Sequence, residues 1–238
     1  MYYLPLLCHN PKNYTSKLIL IYLAFTIFTK YISFMKSLYF IAILPPKATD
    51  ERIDLIRKEF SNQYKSYEAL KPPVHLTLKE PFTLDKKDEA LLLRKLEGLS
   101  FIHQPFHQEL KDFNRFQKHS IYIKANKCEE IINLKKNIKK LFRAYFFNVQ
   151  QDQMPFNPHY TIAYRDIPEK EFDLAWEEYQ HKTFEAHFTC THFTLLKHTG
   201  IKWITVQDYK LRGCPIQTLF DHLTSFQLEK ALQQLIVK

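Results

Sequence analysis

Two short segments of this 238-residue sequence repeat one pattern, a histidine and a threonine two positions apart and shortly after a proline. The first is His75-Leu-Thr77 and the second is His159-Tyr-Thr161. Their apolar neighbours indicate strands, in which residues two apart face the same side of the sheet. Each copy would therefore present an imidazole beside a hydroxyl. Two such pairs lining one cleft would suit a phosphodiester, because hydroxyls can hold phosphoryl oxygens while one imidazole acts as base and the other as acid.

The context of these two copies separates them from other occurrences of the same triplet. The sequence contains His-x-Thr six times. His181 follows an acidic helical stretch, and His222 lies near a predicted helix start. His187 and His192 lie in one β-rich run at an odd separation, so a regular strand would point them to opposite faces. Only the copies at 75 and 159 combine a preceding proline, an apolar alternation and a basic residue a few positions later.

The predicted elements form two similar halves with no low-complexity linker between them. The first half contains strand 38–44, helix 50–67, strand 74–78, helix 84–96 and a hairpin over 106–116 and 120–125. The second contains helix 129–147, strand 159–164, helix 168–180, strands 184–197 and 203–211, and helix 218–237. Thr49 or Asp50 is the expected N-cap of the first helix, and Gly98 the expected end of the second. The pattern predicts an α+β fold, bilobal and pseudo-symmetric, with two antiparallel sheets facing a central cleft and helices outside.

This ordered pair of motifs makes the chain from about residue 35 to 211 resemble the 2H phosphoesterase superfamily, which includes 2′-5′ RNA ligase-like proteins and cyclic nucleotide phosphodiesterases. The resemblance rests on His75-Leu-Thr-Leu, on His159-Tyr-Thr-Ile, on the opening strand Ser37–Pro46 and on a late strand pair. It implies the same bilobal fold around a central cleft. It also implies that both histidines and both threonines are catalytic residues.

Composition narrows the ways in which this chain could bind phosphate. It has only three glycines and no GxGxxG or Walker-type sequence, so phosphate recognition must come from side chains. The net charge of +9 fits a polyanionic partner such as RNA, and equally fits an ordinary basic surface. The four cysteines are far apart, and no histidine pair has metal-ligand spacing. We therefore expect no metal, no cofactor and free thiols in a reducing compartment, the cytoplasm.

The N-terminal stretch is set apart from the rest of the sequence. Residues 18–29 form an apolar run between two lysines, and this run is shorter than the ~20 residues a membrane-spanning helix needs. We expect residues 1–34 to be an extension outside the domain and residues 35–238 to form a single bilobal domain. A weak membrane anchor and a helix packed on the domain are the alternatives.

The motif residues suggest a specific reaction, the opening of a 2′,3′-cyclic phosphate or a 2′-5′ linked diester in RNA or a small nucleotide. His75 and His159 would share acid–base work, and the hydroxyls of Thr77 and Thr161 would donate to the non-bridging oxygens. Which histidine is the base stays open, because the pair is nearly two-fold symmetric. The same symmetry allows the reverse reaction, 2′-5′ ligation.

Two basic residues follow the motifs and are candidates for substrate binding. Lys79 keeps the strand parity of the first motif and Arg165 that of the second, so both could reach the mouth of the cleft. Their alternative role is a solvated charge at a strand end. For the whole chain, a catalytically inactive RNA-binding module of the same fold is the main alternative, and a membrane-tethered protein is another. We expect a monomer that acts on RNA ends or small nucleotides.

Overall fold

The computed structural model describes residues 22, 36–152 and 154–214, and within them the architecture is α+β. The strands are β1 Lys36–Ile43, β2 Leu76–Asp85, β3 Phe106–Phe116, β4 Ser120–Ala125, β5 His159–Tyr164, β6 Glu185–Cys190, β7 His192–His198 and β8 Trp203–Lys210. The helices are α1 Lys47–Tyr64, α2 Glu89–Ile102, α3 Glu129–Tyr145 and α4 Glu169–Tyr179. Short 3₁₀ turns cover Glu68–Leu70 and Lys86–Asp88.

One eight-stranded antiparallel sheet runs through both halves, in the order β6-β3-β4-β5-β2-β1-β7-β8. The two four-stranded halves meet where β2 pairs with β5, and this ladder is a single residue pair, Leu76 with Tyr160. The predicted α+β class is confirmed. The prediction of two separate sheets is wrong, because this pair joins the halves at the motif strands. A ladder of one pair leaves no pattern in the sequence from which it could be foreseen.

The four described helices pack on one face of the sheet, and none of them covers the other face. In β1, Tyr39, Ile41 and Ile43 are fully buried and belong to the main core, which also contains the buried faces of all four helices. Phe40 and Ala42 alternate with them and point to the opposite face, where they form a small second cluster. Period-two alternation thus separates a structural face from a second face, which we call the open face.

Both ends of the first two predicted helices are misplaced, and residues 84–85 of the second prediction belong to β2. At two of these ends the sequence signal itself was misleading. Helix α1 begins three residues early, because the carbonyl of Pro46 accepts the backbone N–H groups of Thr49 and Asp50 at 2.9 Å. Thr49 therefore lies inside the helix rather than capping it. Gly98 lies inside α2, which continues to Ile102. Both errors come from residues that usually mark helix ends and here do not.

The predicted strand over 184–197 is two strands that belong to different halves of the sheet. Strand β6 pairs with β3, and β7 pairs with β1. The chain passes from one half to the other at Thr191, which lies between the two strands. No proline or glycine marks this break, so the sequence shows one continuous β-rich run.

Apart from residue 22, the expected N-terminal extension lies outside the described residues, and so does the expected C-terminal helix. So does His222, whose triplet was set aside on sequence grounds. Among the helices that the structure describes, none is both long and apolar enough to cross a membrane.

Substitution of two glycines tests the backbone conformations found in α2 and at Gly213. Gly98 is exposed in α2, and a Cβ built there meets nothing within 4 Å. Gly98→Ala should therefore raise the free energy of unfolding by about 0.5–1 kcal/mol. Gly213 has φ +62, and a Cβ there would lie 2.8 Å from Gln104 Cβ, so Gly213→Ala should destabilise. Denaturant unfolding measures the stability of both variants. A stabilising Gly213→Ala would contradict the positive φ and the close contact with Gln104.

Candidate active site

The joining pair of the sheet sets the positions of both motifs. Leu76 and Tyr160 are fully buried on the core face and lie opposite each other. Because strand neighbours alternate, the residues on either side of each point to the open face. These residues are His75 and Thr77 in one strand and His159 and Thr161 in the other, and all four are half-buried. The structure thus brings the four predicted side chains together on one face.

Both imidazoles are anchored in the same way. His75 Nδ1 lies 2.8 Å from the carbonyl oxygen of Pro73, and His159 Nδ1 lies 2.6 Å from that of Asn157. A carbonyl oxygen only accepts, so each Nδ1 carries the hydrogen and donates it. This assigns the tautomer and leaves Nε2 as the atom that can take or give a proton. Within the described residues, no protein group is hydrogen-bonded to either Nε2.

Aromatic rings hold the two imidazoles from the sides. The ring of Phe40 lies 4.9 Å from that of His75, centroid to centroid. On the other side, Tyr122 and Phe116 lie 4.9 and 5.0 Å from His159, and they stack on each other. These rings shield one side of each imidazole from water. They also help to keep each imidazole in the orientation set by its Nδ1 hydrogen bond.

This apolar setting changes the acid–base properties of both histidines. Burial lowers the pKa of His75 to about 4 against its hydrogen bond to Pro73, and the positive charges of Arg57 and His159 lower it further. Burial also lowers the pKa of His159, and the bond to Asn157 opposes that shift. Both rings are therefore neutral at pH 7 in the free protein. An anion bound between them would raise both pKa values again.

A β-bulge just after the first motif changes which way Lys79 points. Thr77 lies opposite Ala42, but Lys79 lies opposite Ile41, so Leu78 is an extra residue in β2. Lys79 consequently faces the core, where it is 3% exposed. Lys79 was predicted to reach the cleft because regular alternation would put it on the same face as His75 and Thr77. The bulge reverses this alternation, so the structure does not bring Lys79 to the histidines.

The buried ammonium of Lys79 belongs to an ion-pair network. It contacts Asp152 Oδ1 at 2.5 Å and donates to the carbonyl of Gln150 at 2.9 Å. Lys135 pairs with the other oxygen of Asp152 and also donates to the carbonyl of Leu78, the bulged residue, at 2.7 Å. Burial raises the pKa of Asp152, but the hydrogen bonds from Lys135 and Lys79 outweigh it and lower that pKa overall. The network therefore fixes the backbone next to Thr77.

The second motif strand has an equivalent bulge, but Arg165 lies outside the strand and is exposed rather than buried in the core. Thr161 and Ala163 pair with consecutive residues of β4, so Ile162 is the extra residue. Arg165 lies beyond the strand end in a left-handed conformation, with φ +63. Its exposed guanidinium lies over the ring of Tyr164, 4.8 Å from the centroid. The structure therefore does not place Arg165 with the histidines.

A cation that the sequence did not single out lies closer to the site. Lys124 in β4 is the cross-strand partner of His159, so both share the open face, and Lys111 in β3 pairs with Lys124. Both lysines are exposed. Tyr122, two residues earlier, accepts a hydrogen bond from the side chain of Asn157 at 3.2 Å. Finding these residues requires the β4–β5 register, which the sequence alone does not give.

A second carboxylate complements Asp152 on the opposite flank of the motifs. Asp166, just after β5, accepts hydrogen bonds from the Ser66 hydroxyl at 2.7 Å and from the backbone of Tyr67 and Glu68. These residues lead into the first motif, whereas Asp152 lies in the segment that leads into the second. Each motif is thus tied to the approach of the other. No group of three or more histidine, cysteine, aspartate or glutamate side chains that could hold a metal occurs in the described part of the chain.

Comparison with known proteins gives the family. Residues 45–202 match the family described as the 2′-5′ RNA ligase superfamily. A predicted phosphoesterase from Oceanobacillus iheyensis is 30% identical over 176 residues, covering 73% of this chain and 97% of that protein. Another, from Geobacillus kaustophilus, is 30% identical over 163 residues, covering 66% and 86%. The chain therefore belongs to the 2′-5′ RNA ligase superfamily, a group of 2H phosphoesterases, and the predicted membership is confirmed.

Solved structures show the same fold. The protein TT0787 of Thermus thermophilus has a TM-score of 0.53 at 18% identity, covering 74% of this chain and 98% of that one. Escherichia coli LigT complexed with 3′-AMP gives the same TM-score, identity and coverage. At this identity the similarity shows a LigT-like fold, and it is the family and its phosphoesterase relatives that support a phosphoesterase- or ligase-type enzyme.

The buried network predicts a large cost for losing its carboxylate. Asp152 is 4% exposed and faces two lysines, so Asp152→Asn leaves buried ammonium groups without a counter-charge. We expect the free energy of unfolding to fall by about 3–5 kcal/mol. Asp173→Asn is the matched control, because that carboxylate is 56% exposed and pairs only at the surface with Lys118. Equal melting temperatures for the two variants would show that the network contributes no stability.

Proposed function

We propose that this protein is a phosphodiesterase that opens 2′,3′-cyclic phosphates or 2′-5′ linked diesters by two-histidine acid–base catalysis, without a metal ion. One observation carries the proposal. Two imidazoles share the open face, and each is anchored through Nδ1 to a backbone carbonyl, so that its Nε2 is available for proton transfer. The complex of LigT with 3′-AMP supports a nucleotide as the substrate class.

The reaction divides the proton transfers between the two rings. One neutral Nε2 takes a proton from water as the water oxygen bonds to phosphorus. The other imidazole, protonated, gives its Nε2 proton to the ribose oxygen as the P–O bond breaks, so the base ends protonated, the acid ends neutral, and the pair holds the same number of protons as before. Thr77 and Thr161 donate to the non-bridging oxygens, where negative charge accumulates. Lys124 adds a positive charge beside His159, in the role that the sequence had suggested for Lys79 and Arg165.

The surroundings of the two histidines favour one assignment of roles. The positive charge of Arg57, and that of His159 whenever its ring is protonated, acts on His75 in addition to the burial that both rings share. His75 is therefore the ring that more strongly prefers to be neutral, and we assign it the base in hydrolysis. His159, whose cross-strand partner in β4 is the exposed Lys124, takes the role of the acid. Reversal of these roles would give the ligation reaction.

The cysteines bear on the cellular compartment in which this protein acts. Cys128, Cys190 and Cys214 are free thiols in the structure, which is typical of a reducing compartment. We propose a monomer that acts in the cytoplasm on RNA ends or on small nucleotides. A non-catalytic RNA-binding module of the same fold is the alternative, and it predicts binding without turnover.

The histidines can be tested without disturbing their anchors. In His75→Asn and His159→Asn, an amide can still donate to the carbonyl that accepts from Nδ1, but no titratable nitrogen remains. Each should lower kcat by about 10²-fold or more on 2′,3′-cyclic nucleotides or 2′-5′ dinucleotides, in buffer containing EDTA. His192→Asn is the control, because His192 is exposed and its ring hydrogen-bonds only to Thr191 within the described chain. Loss of wild-type activity in EDTA with rescue by a divalent ion would contradict the metal-free mechanism.

The lowered histidine pKa values predict an acidic optimum for kcat/KM. The base must be neutral, so the rate falls as pH drops through its pKa, which for His75 is about 4. The acid must be protonated, so the rate falls as pH rises through a value below the ordinary 6.5 of histidine. We expect kcat/KM to decline above that point while the decline in kcat occurs at higher pH, because the bound anion raises the pKa. An alkaline limb of kcat/KM well above 6.5, with the fold intact by circular dichroism, would overturn this account.

A further inference from the structure

An open pocket lies next to the His75 end of the catalytic face, and the proposed mechanism does not use it. Its volume is about 380 Å³, within the range of small-molecule sites. One wall is apolar and contains Leu196 and Trp203, from β7 and β8. The other wall contains Asp50 and Arg57 of α1 and the loop residue Pro73.

This pocket is continuous with the catalytic face. Pro73, which lines it, is the residue whose carbonyl holds His75 Nδ1. The ring of Phe40 touches both sides, at 4.9 Å from the His75 ring and 4.6 Å from the Trp203 ring. One aromatic ring therefore separates the acid–base centre from the pocket. In a nucleotide, one ribose similarly separates the phosphate from the base.

The pocket also offers a carboxylate whose oxygens have no hydrogen-bond partner among the described residues, although the charges of Arg57 and Lys58 act on it and lower its pKa against the effect of burial. Asp54, one turn further along α1, pairs with Arg57 at 3.6 Å and with Lys58 at 2.7 Å. The carboxylate of Asp50 has no hydrogen bond or ion pair within the described residues, although it is half-buried. Burial raises its pKa, and the charge of Asp54 adds to that effect. A ligand with N–H donors would satisfy this group.

We propose that this pocket is the nucleobase subsite of the enzyme and that it favours bases which present N–H donors, guanine above all. The proposal rests on the proposed phosphodiesterase function. Trp203 is held by Phe40 and His198, so a flat base meets a ring of fixed position. Guanine presents a ring N–H and an amino group side by side, which matches the two oxygens of Asp50. Uracil places carbonyl oxygens on either side of its N–H, and these would repel a carboxylate.

The test measures kcat/KM of the full-length chain on the 2′,3′-cyclic phosphates of guanosine, adenosine, cytidine and uridine. The wild type should prefer the guanosine substrate over the uridine one by about tenfold. Asp50→Asn should bring that ratio close to one. Trp203→Ala should raise KM for all four substrates with a smaller change in kcat. Glu51→Gln is the control, because Glu51 neighbours Asp50 in the same helical turn but does not line the pocket. Its selectivity should equal that of the wild type.

The outcomes separate failure of the subsite from failure of the proposed function. If none of the four substrates nor a 2′-5′ dinucleotide is turned over, the phosphodiesterase function fails, and the subsite with it. If they are turned over with equal kcat/KM, the function stands and the subsite is wrong. A selectivity that Asp50→Asn leaves intact, or that Glu51→Gln also abolishes, would likewise overturn the role of Asp50.

Discussion

The single backbone pair between Leu76 and Tyr160 is the constraint on which the site depends. It sets the two motif strands side by side, and alternation then sends both histidines and both threonines to the open face. One ladder pair is a weak joint by itself. The carboxylates of Asp152 and Asp166 reinforce it, because each ties the segment next to one motif to the segment next to the other. Side-chain hydrogen bonds and ion pairs thus reinforce the joint between the halves immediately around the motif residues.

The bulge after Thr77 explains why a lysine is buried next to the first motif. Without the extra residue, Lys79 would point to the open face and its ammonium would stand near the two imidazoles. Leu78 instead turns it into the core, where Asp152 and Lys135 complete the pairing. A buried ion pair of this kind is costly to desolvate and adds specificity more than stability. Here the specificity is the register of the strand that carries the first motif.

Sequence reasoning succeeded where the determining interactions are local. The hairpin over 106–125 and strand 159–164 have the predicted bounds, and the alternation that selected His75 and His159 lies within five residues of each. It failed at the ends of the first two helices, where cap-type residues lie inside the helix, and it failed where long-range pairing decides. The joining pair of the sheet, the break at Thr191 and the two bulges are all properties of register between distant strands, as is the position of Lys124 opposite His159. Neither propensity nor periodicity contains that information.

The two halves repeat the same motif in unlike surroundings, and this difference gives the site a direction. Around His75 the open face is apolar and aromatic, with Phe40, Leu196 and Trp203 leading to a pocket. Around His159 it carries exposed lysines on β3 and β4 together with the rings of Phe116 and Tyr122. A symmetric pair of imidazoles could accept a diester in either orientation. The different surroundings of the two histidines remove that freedom. An aromatic surface stabilises a base, whereas cations stabilise a continuing phosphate chain. In the proposed mechanism, the direction of the substrate, and with it the division of acid and base, is therefore set by the strands that flank the motifs rather than by the motifs themselves.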